Sequence, residues 1–80
     1  VDIELLMERL GKSGVTMILK VDHERMQAEE NPWTLVMSGP GLGESSLIRT
    51  DASSLKDCLD YGLRELRSHP GEWDWVDQYN

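Results

Sequence analysis

Three groups of residues in this sequence are of types that could do chemistry. They are the acid and aromatic run GEWDWVDQYN at 71–80, the glycine-rich run SGPGLGESS at 38–46, and the metal or nucleophile candidates His23, Cys58 and His69. The glycine run invites comparison with loops that cradle phosphate. Such loops need a strand before, a helix after with its free amides aimed at the anion, and usually a lysine at fixed spacing. Here Glu44 and an expected strand follow, and neither GK[ST] nor GxGxxG spacing is present. Pro40, Gly41 and Gly43 therefore read as turn residues. Cys58 falls between Leu55 and Leu59 on an apolar helical stripe, which makes it a small core residue. Asp22, His23 and Glu24 are adjacent on an expected strand, so the histidine points away from the two acids. With no CxxC, HxxxH or calcium-loop spacing, no metal, cofactor or catalytic residue is expected.

That leaves recognition by charge and aromatic surface. The chain has 80 residues, with 15 acids against 8 lysines and arginines, for a net charge of −7. Nucleic-acid affinity comes mainly from basic side chains that release counterions, so direct binding of nucleic acid is not expected. The excess is concentrated. Residues 22–30 carry Asp22, Glu24, Glu29 and Glu30 against Arg25, and residues 70–80 carry Glu72, Asp74 and Asp77 with no base. Trp73, Trp75 and Tyr79 lie among those tail acids, and ordering such a tail takes burial or a partner.

Positioning these groups falls to a small set of elements. VDIELLMERL puts Ile3, Leu6, Met7 and Leu10 on one helical face, with Asp2 as N-cap and Gly11 or Gly14 as the stop. VTMILKV alternates with the period of a half-buried strand, predicted to run to about Arg25. WTLVMS gives a second strand entered through Pro32, and SSLIRT at 45–50 a third that Asp51 ends, with the choice of Leu47 or Ile48 for the core left open. SLKDCLDYGLRELRS is the clearest helix, presenting Leu55, Cys58, Leu59, Gly62, Leu63 and Leu66, begun by Ser54 and stopped by Pro70 and Gly71.

The expected fold is one α+β domain over residues 1–80, ordered α-β-β-β-α. Three strands form an antiparallel meander, two helices cover one face, and a short helical tail follows. On the other face Ile18, Val36 and one of Leu47 or Ile48 should line up, with the tail as the only remaining segment able to cover them. Trp75, Val76 and Tyr79 have the spacing of a short inward-facing helix begun at Pro70. Trp73 is either part of that scaffold or an exposed anchor. No apolar run approaches the roughly 20 residues of a membrane helix, and a lone cysteine suits a reducing compartment, so a cytoplasmic protein without membrane contact is expected.

The helix, three strands, helix order resembles the double-stranded-RNA-binding domain. That family places basic phosphate contacts on its second helix, whereas Ser53, Ser54, Leu55, Lys56 and Asp57 begin it here, so the RNA-binding chemistry does not carry over. In element order and charge the chain also resembles small acidic phage-type inhibitors, including anti-CRISPR proteins, and bacterial immunity proteins and antitoxins belong to the same physical class. That resemblance implies a non-catalytic inhibitor whose acids occupy a basic surface of a nuclease or nucleic-acid-binding protein. The resemblance transfers no site; read from the residues themselves, Glu24, Glu29, Glu30, Glu72, Asp74 and Asp77 would supply the charge and Trp73, with Trp75 and Tyr79, the aromatic anchors. The alternative is a structural or regulatory subunit that docks or dimerises through the sheet face bearing Ile18 and Val36.

Overall fold

The computed structural model describes residues 2–43 and 46–79. Helix α1 spans Ile3–Lys12, and the Asp2 carboxylate accepts from the Leu5 amide at 3.1 Å, the cap its position predicts. Leu6 and Leu10 are buried, while Ile3 packs against the core from its edge. The helix ends in a Schellman motif. Gly14 takes the left-handed conformation at φ 85°, its amide donates to the Gly11 carbonyl, and the Val15 amide reaches back to Leu10.

Strands β1 (Thr16–Val21), β2 (Trp33–Ser38) and β3 (Ile48–Ala52) form one sheet in the order β1-β2-β3, with both pairings antiparallel. The register sets Met17 opposite Met37 and Met37 opposite Ile48, with Leu19, Leu35 and Thr50 in the next row of the same face. Helix α3 (Leu55–Arg67) packs on β2 and β3, and α1 packs on β1. Ser54 caps α3 by accepting from the Asp57 amide at 3.1 Å. The core therefore lies between the sheet and the two long helices, with Leu6, Leu10, Leu35, Met37, Cys58 and Leu66 fully enclosed. Cys58 donates its S–H to the Trp33 carbonyl at 3.4 Å, and burial pushes its thiol pKa up.

Two strand ends differ from expectation. β1 stops at Val21 because Asp22 caps a short helix α2 (His23–Gln27), accepting from the Arg25 amide at 3.0 Å. Asp22, His23 and Glu24 are thus a helix start and not an extension of the strand. β3 begins later than read and runs through Asp51, which pairs with Thr34 across the sheet. Ser45, the expected first residue of that strand, lies outside the described residues. Ile48 faces the core at 4% exposure and Leu47 is 62% exposed, which resolves the open choice.

The link from β2 to β3 is a plug more than a hairpin turn. A 3-10 turn at Pro40–Leu42 drives Leu42 fully into the core, and the Gly41 amide donates to the Gly14 carbonyl at 2.9 Å. A Cβ on Gly41 would collide with the Ser13 carbonyl, so the two turns meet backbone to backbone.

The chain closes in a 3-10 helix, Asp74–Tyr79, that packs beside α1. Val76 is buried, and Trp75 and Tyr79 lean on the core with Arg9 stacked 4.5 Å above the Trp75 ring. The tail does not cover the second sheet face. Nor do Leu47 or Ile48 line up there, because the residue level with Ile18 and Val36 is Arg49. Ile18 is left 55% exposed. No helix among the described residues is long and apolar enough to cross a membrane.

Candidate partner-binding surface

The acids of the β1–β2 connection are positioned by α2 and its exit. Glu24 lies in the first turn, where a carboxylate suits the positive end of the peptide dipoles. The exit repeats the Schellman motif of α1, since the Glu29 amide donates to Met26 and the Glu30 amide to Arg25 at 2.9 Å. The left-handed residue here is Glu29, at φ 56°, where α1 uses glycine. A side chain in that conformation costs roughly 1–2 kcal/mol. The turn therefore holds a carboxylate outward at a conformational cost that its counterpart at Gly14 avoids.

Arg25 is the lone base of residues 22–30, and its guanidinium bonds across the sheet and forms no ion pair with Glu24, Glu29 or Glu30, although it lines the same hollow as the last two. Its guanidinium donates to Asp51 Oδ1 at 3.0 Å and to Thr34 Oγ1 at 3.3 Å, while the Thr34 hydroxyl donates to the same Asp51 oxygen at 2.5 Å. Thr34 is the one buried polar residue among those described, and this network satisfies it. Arg49 adds a longer contact to Asp51 at 3.8 Å. The Thr34 hydroxyl, and after it the Arg25 guanidinium, hold the Asp51 carboxyl below the ordinary value of 3.8. The Arg25 amide does the same for Asp22.

The consequence is a group of acids left without ion pairs. Among the described residues, Glu24, Glu29 and Glu30 are exposed and have no ion-pair partner. Glu29 and Glu30 line an open hollow of about 540 Å³ with Arg25, Asn31 and Asp51.

The tail acids are not brought to this hollow. Glu72 and Asp74 are exposed, and Asp77 pairs with Arg67 beside a separate hollow lined by Asp60, Leu63, Arg64 and Val76. Trp73 is 6% exposed, and its indole N–H donates to the Pro70 carbonyl at 3.3 Å. It belongs to the scaffold and is not the exposed contact anchor expected of it, because Gly71 at φ 135° lets the chain fold the indole inward. Among the described residues no three of His, Cys, Asp and Glu are grouped to hold a metal ion.

The sequence did not reveal the Arg25, Thr34 and Asp51 network. Its signal was a threonine and an aspartate with strand-facing parity, but matching them requires the β2–β3 register. One result tests it. Because the folded-state pKa of Asp51 lies below 3.8, its stabilisation is complete above that value and is lost as pH falls through the lower folded-state value. The Tm gap between the parent protein and Asp51→Asn should stay constant from neutral pH to about 4 and close below it. A gap that widens with acid would rule the network out as the cause.

No protein-family model, curated protein or solved structure matches the chain.

Proposed function

We propose that this protein is a non-catalytic binding module that occupies a basic, nucleic-acid-binding surface of a partner protein and so inhibits it. The observation that carries the reading is the exit of α2. There Glu29 and Glu30, like Glu24 in the first turn, face solvent without an ion-pair partner while the guanidinium of Arg25 beside them bonds Asp51, and Glu29 holds a conformation that favours glycine. Strained residues persist where something other than stability retains them. Uncompensated exposed acids speed encounter with a basic surface and set its specificity, and their influence falls with salt. The tail acids Glu72 and Asp74 extend the negative field without joining the hollow. Cys58 is enclosed in the core, and His23 and His69 lie on separate helical ends, which supports a role without catalysis.

Immobilised protein exposed to an extract of its source cell tests this. Captured proteins are identified at low salt and at about 1 M salt, where the Debye length is about 3 Å. Each is then assayed for nucleic-acid binding with and without this protein. The expected result is a basic partner that is released by salt, displaced from its nucleic acid, and held at least about tenfold less well by the Glu24→Lys, Glu29→Lys, Glu30→Lys variant. Glu29→Gly alone should weaken binding while stabilising the fold by a few tenths to about 1 kcal/mol. Capture indifferent to both salt and charge reversal would overturn the proposal.

A further inference from the structure

The hollow beside Glu29 and Glu30 meets, at Asp51, the sheet face opposite the core, where Arg25 of α2 covers Thr34 and Ile18 stays exposed. Lys20, Thr34 and Asp51 form one row across that face, and Ile18, Val36 and Arg49 form the next. Asp51 belongs to both places, since it lines the hollow and stands one row from Val36. Its Oδ1 takes the contacts from Thr34, Arg25 and Arg49. Arg49 pairs with Val36 across the sheet and reaches Asp51 at 3.8 Å. The recess, where Arg25 stands with Glu29, Glu30 and Asp51, thus adjoins Ile18, which is exposed, and Val36, which is half-buried.

We infer that this composite surface takes a partner segment in which arginine or lysine side chains border an apolar patch, the base entering the Glu29, Glu30 and Asp51 hollow while the apolar side chains cover Ile18 and Val36. This rests on the acidic reading above and adds to it the partner's chemistry. Charge selects the occupant. A second copy of this chain would bring another −7 protein, with its own unpaired Glu29 and Glu30, against the same rim. A purely cationic surface would leave Ile18 and Val36 in water, so part of the surface would go unused. An apolar centre bordered by a polar rim is the usual arrangement of an interface.

Two synthetic peptides of equal charge separate the alternatives, one alternating arginine with leucine and the other arginine with serine. Each is titrated into the full chain and followed by amide shifts in nuclear magnetic resonance. The leucine peptide should bind about tenfold tighter and shift Ile18, Val36 and Arg49 as well as Glu29 and Glu30. Ile18→Thr combined with Val36→Thr should reduce the leucine peptide to the affinity of the serine peptide. Glu29→Gln combined with Glu30→Gln should weaken both. Equal affinities, with shifts confined to the hollow, would overturn this inference and leave the acidic reading standing. Binding of neither peptide would overturn both. Sedimentation of the chain alone as a dimer that the two threonine substitutions dissolve would assign the face to a second copy and also overturn it.

Discussion

Trp73→Ala lowers the unfolding free energy by about 3–5 kcal/mol, the range for removing a large buried aromatic side chain. Stability near 0.05–0.15 kcal/mol per residue gives a chain of this length only about 4–12 kcal/mol in total, so the variant should lie close to its unfolding midpoint at 37 °C. The loss does not end with the indole. Its N–H holds the Pro70 carbonyl, the Trp73 carbonyl accepts from the Val76 amide at 3.1 Å, and Val76 in turn is 1% exposed. Without the ring, the 3-10 helix loses its first attachment and Trp75 loses one neighbour against α1. Glu72→Ala and Asp74→Ala, on either side, should change stability by no more than about 0.5 kcal/mol, because both side chains are exposed. Urea unfolding of the three variants decides the matter. A Trp73→Ala midpoint equal to that of its neighbours would return Trp73 to the surface.

Gly62→Val is expected to destabilise by about 3 kcal/mol, against the direction that helix propensity predicts. Glycine in a helix interior is about 1 kcal/mol less favourable than alanine, so substitution should help where there is room. There is none at Gly62. A Cβ there would lie 2.9 and 3.0 Å from the two Leu35 methyls and 3.2 Å from the Met37 methyl, and both of those side chains are fully buried. Valine adds two further methyls to that contact, and overpacking of a filled core costs roughly 1–3 kcal/mol or more. Gly11 in α1 is the control. A Cβ there meets nothing within 4 Å, so Gly11→Ala should stabilise by up to about 1 kcal/mol. If both substitutions shift the urea midpoint in the same direction, the close approach of α3 to β2 is not what fixes glycine at 62.

The parts of this fold that could be read in advance were those with enough apolar residues to show a period. α1 and α3 each repeat their apolar residues over at least two turns, and β1 and β2 alternate over six residues. α2 has five residues and none buried, so no period exists to detect, and only the Asp22 cap marks it. Asp51 read as a strand terminator because an isolated aspartate disfavours strands. It sits inside β3 because Thr34 and Arg25 meet its carboxylate, contacts made 17 and 26 residues away in sequence. The acids of the candidate surface were visible as composition, but their lack of ion pairs depends on the bond of Arg25 to Asp51, which is a long-range fact. Trp73 escaped assignment because its burial is set by Gly71 and Pro70 in the approach to the final helix. The helical spacing that picked out Trp75, Val76 and Tyr79 starts only after it.

The aromatic side chains of the tail also give this protein an optical signature. Trp73 and Trp75 have ring centroids 6.3 Å apart at an interplanar angle of 51°, and Tyr79 meets Trp75 edge-on at 6.0 Å. Two indoles that close and that tilted couple their transitions, so the circular dichroism spectrum should carry an exciton couplet superimposed on the helical bands. The couplet arises only while the tail is docked, whereas the helical bands come mostly from α1 and α3. Followed together through a thermal ramp, the two signals give separate melting curves for the clasp and for the body it closes.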